Sequence, residues 1–203
     1  MKIKICGLTT ILETTYVNES QADFAGMVLF FPKSKRNITI SQARILIEHL
    51  NPEIQKVAVV VSPTLSQIRT IEEAGFDYIQ IHGELPLDLL EQIHLPVLKA
   101  FNVSDMNRYE EYRSFSQVAG YVWDAQEPGS GKVFDWNLAK SLPRDDKLWL
   151  LAGGLNPDNV ASAIKALQPD GVDVSSGVEY DNAPGKDPEK IRRFVTSVRA
   201  VTD

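Results

Sequence analysis

The sequence predicts an α/β fold, a (β/α)8 TIM barrel in one domain spanning residues 1–203. Three observations lead there. Short β-rich runs alternate with helical patterns from end to end, and parallel strands need such crossover helices between them. Eight runs are present, the number that closes a barrel. The length of 203 residues is at the lower end for eight units and is enough for one sizeable core. An open doubly wound sheet is the competing architecture, and it usually has fewer strands.

The elements follow in order. Lys2–Leu8 alternates Ile3 and Ile5 against Lys4 and Cys6, a period of two that reads as a strand. A weakly patterned helix at about Ile11–Ser20 leads to the second strand, Phe24–Phe30. "SQARILIEHL" reads as an amphipathic helix with Ser41 as N-cap. Strands at Lys56–Val61, Tyr78–Gly83 and Pro96–Val103 come next, then a weak helix at about Asp105–Phe115 and a strand at Gly120–Ala125. Leu148–Gly154 is the seventh strand. "NPDNVASAIKAL" is a helix with Asn156 as N-cap and Pro157 at the first helical position. Gly171–Gly177 is the eighth strand, and a helix at roughly Pro188–Val201 closes the chain.

Composition narrows the function. The chain is 43% hydrophobic and 24% charged, with a net charge of −6. That balance argues against a nucleic-acid binder or an anionic-membrane binder, both of which need a basic surface. A local basic pocket for a small phosphorylated ligand remains compatible with it. Cys6 is the sole cysteine, so no intrachain disulfide can form. With no long apolar segment either, the expectation is a soluble cytoplasmic protein. Monomer and homodimer both stay open.

Strand alternation groups the polar residues. Lys4 shares a face with Cys6, Gln80 with His82, Val122 with Asp124, and Asp173 with Ser175. Four strands thus bring polar groups toward their C-terminal ends, where active sites lie on this fold. Each residue also has an ordinary explanation. A lone cysteine in a strand is more often a small buried hydrophobe. Asp124 can cap a turn, His82 can be a satisfied strand-end histidine, and Gln80 can orient its neighbours. Lys4, if it points inward, needs a partner such as Asp173, because an unpaired buried ammonium is costly.

Two loops carry anion-binding chemistry. Gly153 and Gly154 follow the seventh strand, and Ser175, Ser176 and Gly177 follow the eighth. Glycine lets backbone N–H groups approach a phosphate, and these ordinal positions are where this fold frequently holds one. In "FFPKSKRNI", Arg36 suits a substrate carboxylate, while Lys33 and Lys35 read as a solvated basic loop. Gly129, Ser130 and Gly131 make the segment after the sixth strand flexible enough for a lid.

"KIKICGLT", "FFPKSKRNI", "IQIHG", "YVWDAQEPGSGKVFDW", "LLAGGLNPDNV" and "GVDVSSGVE…PGKD" together resemble the phosphoribosylanthranilate isomerase family of tryptophan biosynthesis, in order and spacing over nearly the whole chain. The resemblance implies a barrel that uses no metal and no organic cofactor. It implies an Amadori rearrangement of N-(5-phosphoribosyl)anthranilate to 1-(2-carboxyphenylamino)-1-deoxyribulose 5-phosphate. Cys6 would be the general base and Asp124 the general acid. Arg36 would bind the anthranilate carboxylate and Asp173 the sugar. Gln80 and His82, from their shared face at the strand end, are also expected on the substrate. Gly153, Gly154, Ser176 and Gly177 would hold the phosphate. The first helical segment lacks the family's usual alanine-rich acidic character. The segment after Asp124 is shorter than usual, and Trp123 is expected to face the helix layer. A sugar-phosphate epimerase, a histidine-pathway isomerase and a catalytically inactive metabolite-binding barrel are the rival functions. The two enzymes lack the paired "KICG" and "VDVSSG", and intact Cys6, Asp124 and Arg36 speak against the third.

Overall fold

A computed structural model describes residues 1–102, 108–124 and 144–201. Its barrel strands are β1 (Lys2–Cys6), β2 (Phe24–Leu29), β3 (Gln55–Val61), β4 (Tyr78–His82), β5 (Val97–Asn102), β6 (Val118–Asp124), β7 (Leu148–Ala152) and β8 (Gly171–Val174). Each pairs in parallel with the next, and β1 pairs with both β2 and β8, which closes the barrel and excludes the open sheet. A two-residue strand, Asn37–Ile38, adds to the end of β2.

Period-two alternation sorts the side chains into two layers. Inside the barrel, Phe24, Val57, Leu98, Val122 and Leu150 pack together beneath Cys6. Facing outward, Ile3, Ile5, Ile79, Ile81, Val172 and Val174 join the larger core under the helices. Trp123 lies in that outer layer, fully buried and stacked on Phe101 with ring centroids 5.0 Å apart. Its neighbour Asp124 is therefore turned to the interior, as the alternation predicts.

The described helices are α1 (Ile11–Ser20), α2 (Ile40–His49), α3 (Leu65–Glu72), α4 (Leu87–Leu90), α5 (Tyr109–Tyr112), α6 (Val160–Leu167) and α7 (Pro188–Arg199). Two cap assignments change. Thr39, not Ser41, caps α2, because its side chain accepts from the Gln42 amide while Gln42 reaches back to Thr39 N–H. The helix after β7 begins at Val160 rather than Pro157. Asn156 still accepts from the Asp158 and Asn159 amides, so it caps the turn that precedes α6. The predicted lid around Gly129, Ser130 and Gly131, and the start of the predicted fifth helix, lie outside the described residues. Among the described residues no helix is long and apolar enough to cross a membrane.

Candidate active site

A cavity of about 280 Å³ opens at the C-terminal end of the barrel. Cys6, Arg36, Gln80, His82, Asp124 and Asp173 all line it, and so do Gly153, Gly154 and Ser176. Gly177 is the one predicted residue that does not. It packs behind the wall, where an added Cβ would sit 1.9 Å from the Leu155 carbonyl oxygen.

Cys6 ends β1 and is almost completely buried, with 7% of its surface exposed. Lys4, one alternation below, is wholly buried and donates to both carboxylate oxygens of Asp173 at 3.0 Å. The sequence-derived pairing of these two is thus present. Burial opposes the Lys4 charge, but Asp173 and Cys6 together hold its pKa above the ordinary lysine value. Burial pushes the Cys6 thiol up; Lys4 and Lys186 pull it back, and Asp173 adds to the rise. Lys4 favours the thiolate, yet desolvation wins, and the resting thiol is protonated more firmly than a free one.

Asp124 ends β6, is partly exposed, and lines the same cavity. Gln80 and His82, on β4, meet at 2.8 Å between their Nε2 atoms. Burial and the nearby charges of Lys4 and Lys99 bring the His82 pKa down to about 4, so the ring is neutral at pH 7. With the Gln80 amide donating to its Nε2, the ring carries its proton on Nδ1. The buried Gln80 Oε1 has no hydrogen-bond partner among the described residues, which leaves an acceptor for a hydroxyl at the cavity floor.

Arg36 reaches the cavity from the segment after β2. Its Nε donates to Glu179. The same carboxylate takes Lys35 at 2.8 Å and the buried Lys186 at 3.1 Å. Burial works against the ionised carboxylate, but the bonds from Arg36 and Lys35 and the charge of Lys186 outweigh it and bring Glu179 to about 2. Lys35 is therefore exposed yet paired, a correction to its reading as purely solvated, while Lys33 is simply exposed. Gly153 and Gly154 both have left-handed backbones, φ 88° and 65°, a conformation glycine adopts without penalty and in which successive N–H groups can converge on an anion.

Glu179 and Lys186 escaped the sequence reading as site residues. The "GVE…PGKD" spacing contained both, but neither lies on a strand, so alternation could not assign them a face. Among the described residues no group of histidine, cysteine and carboxylate side chains is arranged to hold a metal ion.

The family model for N-(5'-phosphoribosyl)anthranilate isomerase matches residues 3–197. The chain belongs to that family. The N-(5'-phosphoribosyl)anthranilate isomerase of Geotalea daltonii is 38% identical over 199 residues, covering 96% of this chain and 94% of the relative. That of Listeria innocua is 38% identical, with 99% of each chain covered. The crystal structure of the phosphoribosyl anthranilate isomerase from Thermotoga maritima superposes with a TM-score of 0.86 at 38% identity, over 98% of this chain and 99% of that one. A further isomerase structure, a complex with reduced 1-(o-carboxyphenylamino)-1-deoxyribulose 5-phosphate, superposes at 0.83 with 35% identity, over 98% and 99%. Membership in the isomerase family fits a barrel whose polar side chains gather at one end.

Proposed function

We infer that the chain catalyses the Amadori rearrangement of N-(5-phosphoribosyl)anthranilate to 1-(2-carboxyphenylamino)-1-deoxyribulose 5-phosphate, in tryptophan biosynthesis. The observation that carries the residue roles is convergence: side chains from β1, β4, β6 and β8 and from three loops meet in one cavity.

Asp124, as acid, donates a proton to the furanose ring oxygen. The C1–O bond breaks as the anilino nitrogen lone pair forms a C=N bond. The resulting iminium acidifies the proton on C2. Cys6, as thiolate, removes that proton, giving an enol-amine that tautomerises to the ketose. Arg36 holds the anthranilate carboxylate, its Nε fixed on Glu179 and its terminal nitrogens making no hydrogen bond to the described residues. Asp173 and Gln80 take the sugar hydroxyls, with His82 orienting Gln80. Gly153, Gly154 and Ser176 hold the phosphate by backbone and hydroxyl donors. Gly177 supports that loop by letting it lie against Leu155.

Assaying the isomerisation, with the labile substrate generated in situ, tests the reading. Wild-type protein is expected to turn over and Cys6→Ala to be nearly inactive. Turnover by neither protein, with a reduced product analogue still bound, would instead favour the inactive metabolite-binding barrel.

A further inference from the structure

Three observations meet at Lys186, in the segment between β8 and α7. The side chain is 1% exposed, and its ammonium is held by the Ser175 carbonyl at 3.0 Å, the Ser175 hydroxyl at 3.4 Å and Glu179 at 3.1 Å. The Ser175 hydroxyl donates to the carbonyl oxygen of Cys6 at 3.0 Å. The backbone N–H of Lys186 donates to Glu13 at 2.7 Å, and the other oxygen of Glu13 accepts the amides of Thr9 and Thr10, in the segment that leaves β1 just past Cys6. Lys186 is thus fastened on both sides of the strand end that carries the thiol.

Charge balance separates Lys186 from Lys4. Lys4 faces one carboxylate that, among the described residues, it shares with no other cation, so the pair is neutral. Around Glu179, three cations, Lys35, Arg36 and Lys186, meet one carboxylate, which leaves positive charge in excess.

We propose that Lys186 is a positioning residue for Cys6: anchored by Ser175 and Glu179, it fixes the end of β1 and supplies the uncompensated positive charge that a thiolate there requires. This rests on Cys6 acting as the base. The charged and titratable groups around the thiol and Lys186 are Lys4 on the thiol's own strand, Asp173 on β8, Arg36 beside Gly7, Asp124 and His82 across the cavity, Glu179 on the Lys186 ammonium, and Glu13 on the backbone of Lys186, Thr9 and Thr10. Lys186 pulls the Cys6 pKa down, against burial and Asp173. Burial in turn lowers the Lys186 pKa, with Glu179 and Cys6 opposing that fall. An ammonium that shares its one carboxylate with two other cations gains from a thiolate nearby.

The sole cysteine makes the test clean, because iodoacetamide labelling followed by mass reports Cys6 alone. The rate is measured against pH for wild type, Lys186→Met and Lys186→Arg, with kcat profiles alongside. Below the thiol's titration, Lys186→Met is expected to alkylate roughly 3- to 10-fold more slowly, with the rates converging at high pH and the acid limb of kcat moving the same way. Lys186→Arg, which keeps the charge, is expected to follow wild type. If Lys186→Met does not fold, Lys186→Gln retains donors for Ser175 and Glu179 and carries the same expectation. A neutral variant whose alkylation profile overlays wild type overturns the proposal. So does an arginine variant displaced as far as the neutral one, since a cation at this position would then do nothing to favour the thiolate. Alkylation needs no substrate. Loss of the isomerase reading would therefore appear as wild-type inactivity, apart from any answer about Lys186.

Discussion

At the scale of single residues, the site depends on how closely groups are pressed around one thiol. Replacing Cys6 by serine keeps the shape but offers a hydroxyl far too weakly acidic to act as an anionic base near pH 7. The expected outcome is an intact circular dichroism spectrum with kcat down roughly 100- to 10,000-fold. Retention of a third or more of wild-type kcat would remove Cys6 from the role of base. Gly26, opposite Cys6 on β2, is a second residue-scale test. An added Cβ there would lie 2.8 Å from the Cys6 sulfur and 3.2 Å from the Lys4 ammonium. Gly26→Ala must displace the thiol or the lysine. An ångström-scale misplacement of a reacting group costs on the order of 100-fold in rate. Steady-state kinetics should show the loss in kcat rather than KM, because the wall that meets the carboxylate is untouched. Arg36→Met should do the reverse, raising KM roughly 10- to 150-fold through loss of a charge-assisted bond. An unchanged kcat/KM would show that Arg36 holds no substrate group.

Among the elements, strands were far more legible than helix ends. Alternation placed Lys4, Cys6, Gln80, His82, Asp124 and Asp173 on interior faces, because a period of two leaves no freedom once one face is apolar. The α1 bounds also came out as read, although that helix lacks a strong apolar stripe. Its start is fixed instead by a capping box, Thr10 with Glu13, and the same arrangement starts α2 with Thr39 and Gln42 and α3 with Thr64 and Gln67. Serine and threonine both serve as caps, so residue type alone does not separate Ser41 from Thr39, and the backbone places the helix start at Thr39. Glu179 and Lys186 stayed hidden because ion pairs between loops leave no periodic trace in a sequence. The caps make an element-scale prediction. Thr39→Ala removes the acceptor for the Gln42 amide and should lower stability by about 1 kcal/mol, read as a smaller denaturation midpoint at unchanged slope, with kcat unaffected. A change in the slope itself would mean that the substitution disturbed more than one helix end.

Across the whole molecule, the barrel carries buried ionisable groups that bind protons less readily than they do in the unfolded chain, and this gives its stability a definite pH dependence. His82 has a folded pKa of about 4 against an ordinary value of 6.5. Between those values the unfolded chain takes up a proton that the folded barrel refuses, so stability falls as pH drops from 6.5 toward 4. Glu179, at about 2 in the fold, acts over a lower window: its ion pairs contribute fully above the ordinary glutamate value of 4.5 and are lost as pH falls from there through 2. Glu72 and Asp145 are lowered in the same direction and add to this second phase. The two windows separate experimentally, because only the upper one belongs to a histidine. One proton of difference corresponds to a slope of about 1.4 kcal/mol per pH unit at most. Unfolding free energies from urea titrations at a series of pH values should therefore decline between 6.5 and 4 in wild type. In His82→Gln, whose amide retains a hydrogen-bonding partner for Gln80, the curve should be flatter across that window by up to one proton and parallel to wild type below pH 4. If the variant keeps the full wild-type slope between 6.5 and 4, then His82 is not held neutral by the barrel, and its role in orienting Gln80 through an unprotonated Nε2 would fall with it.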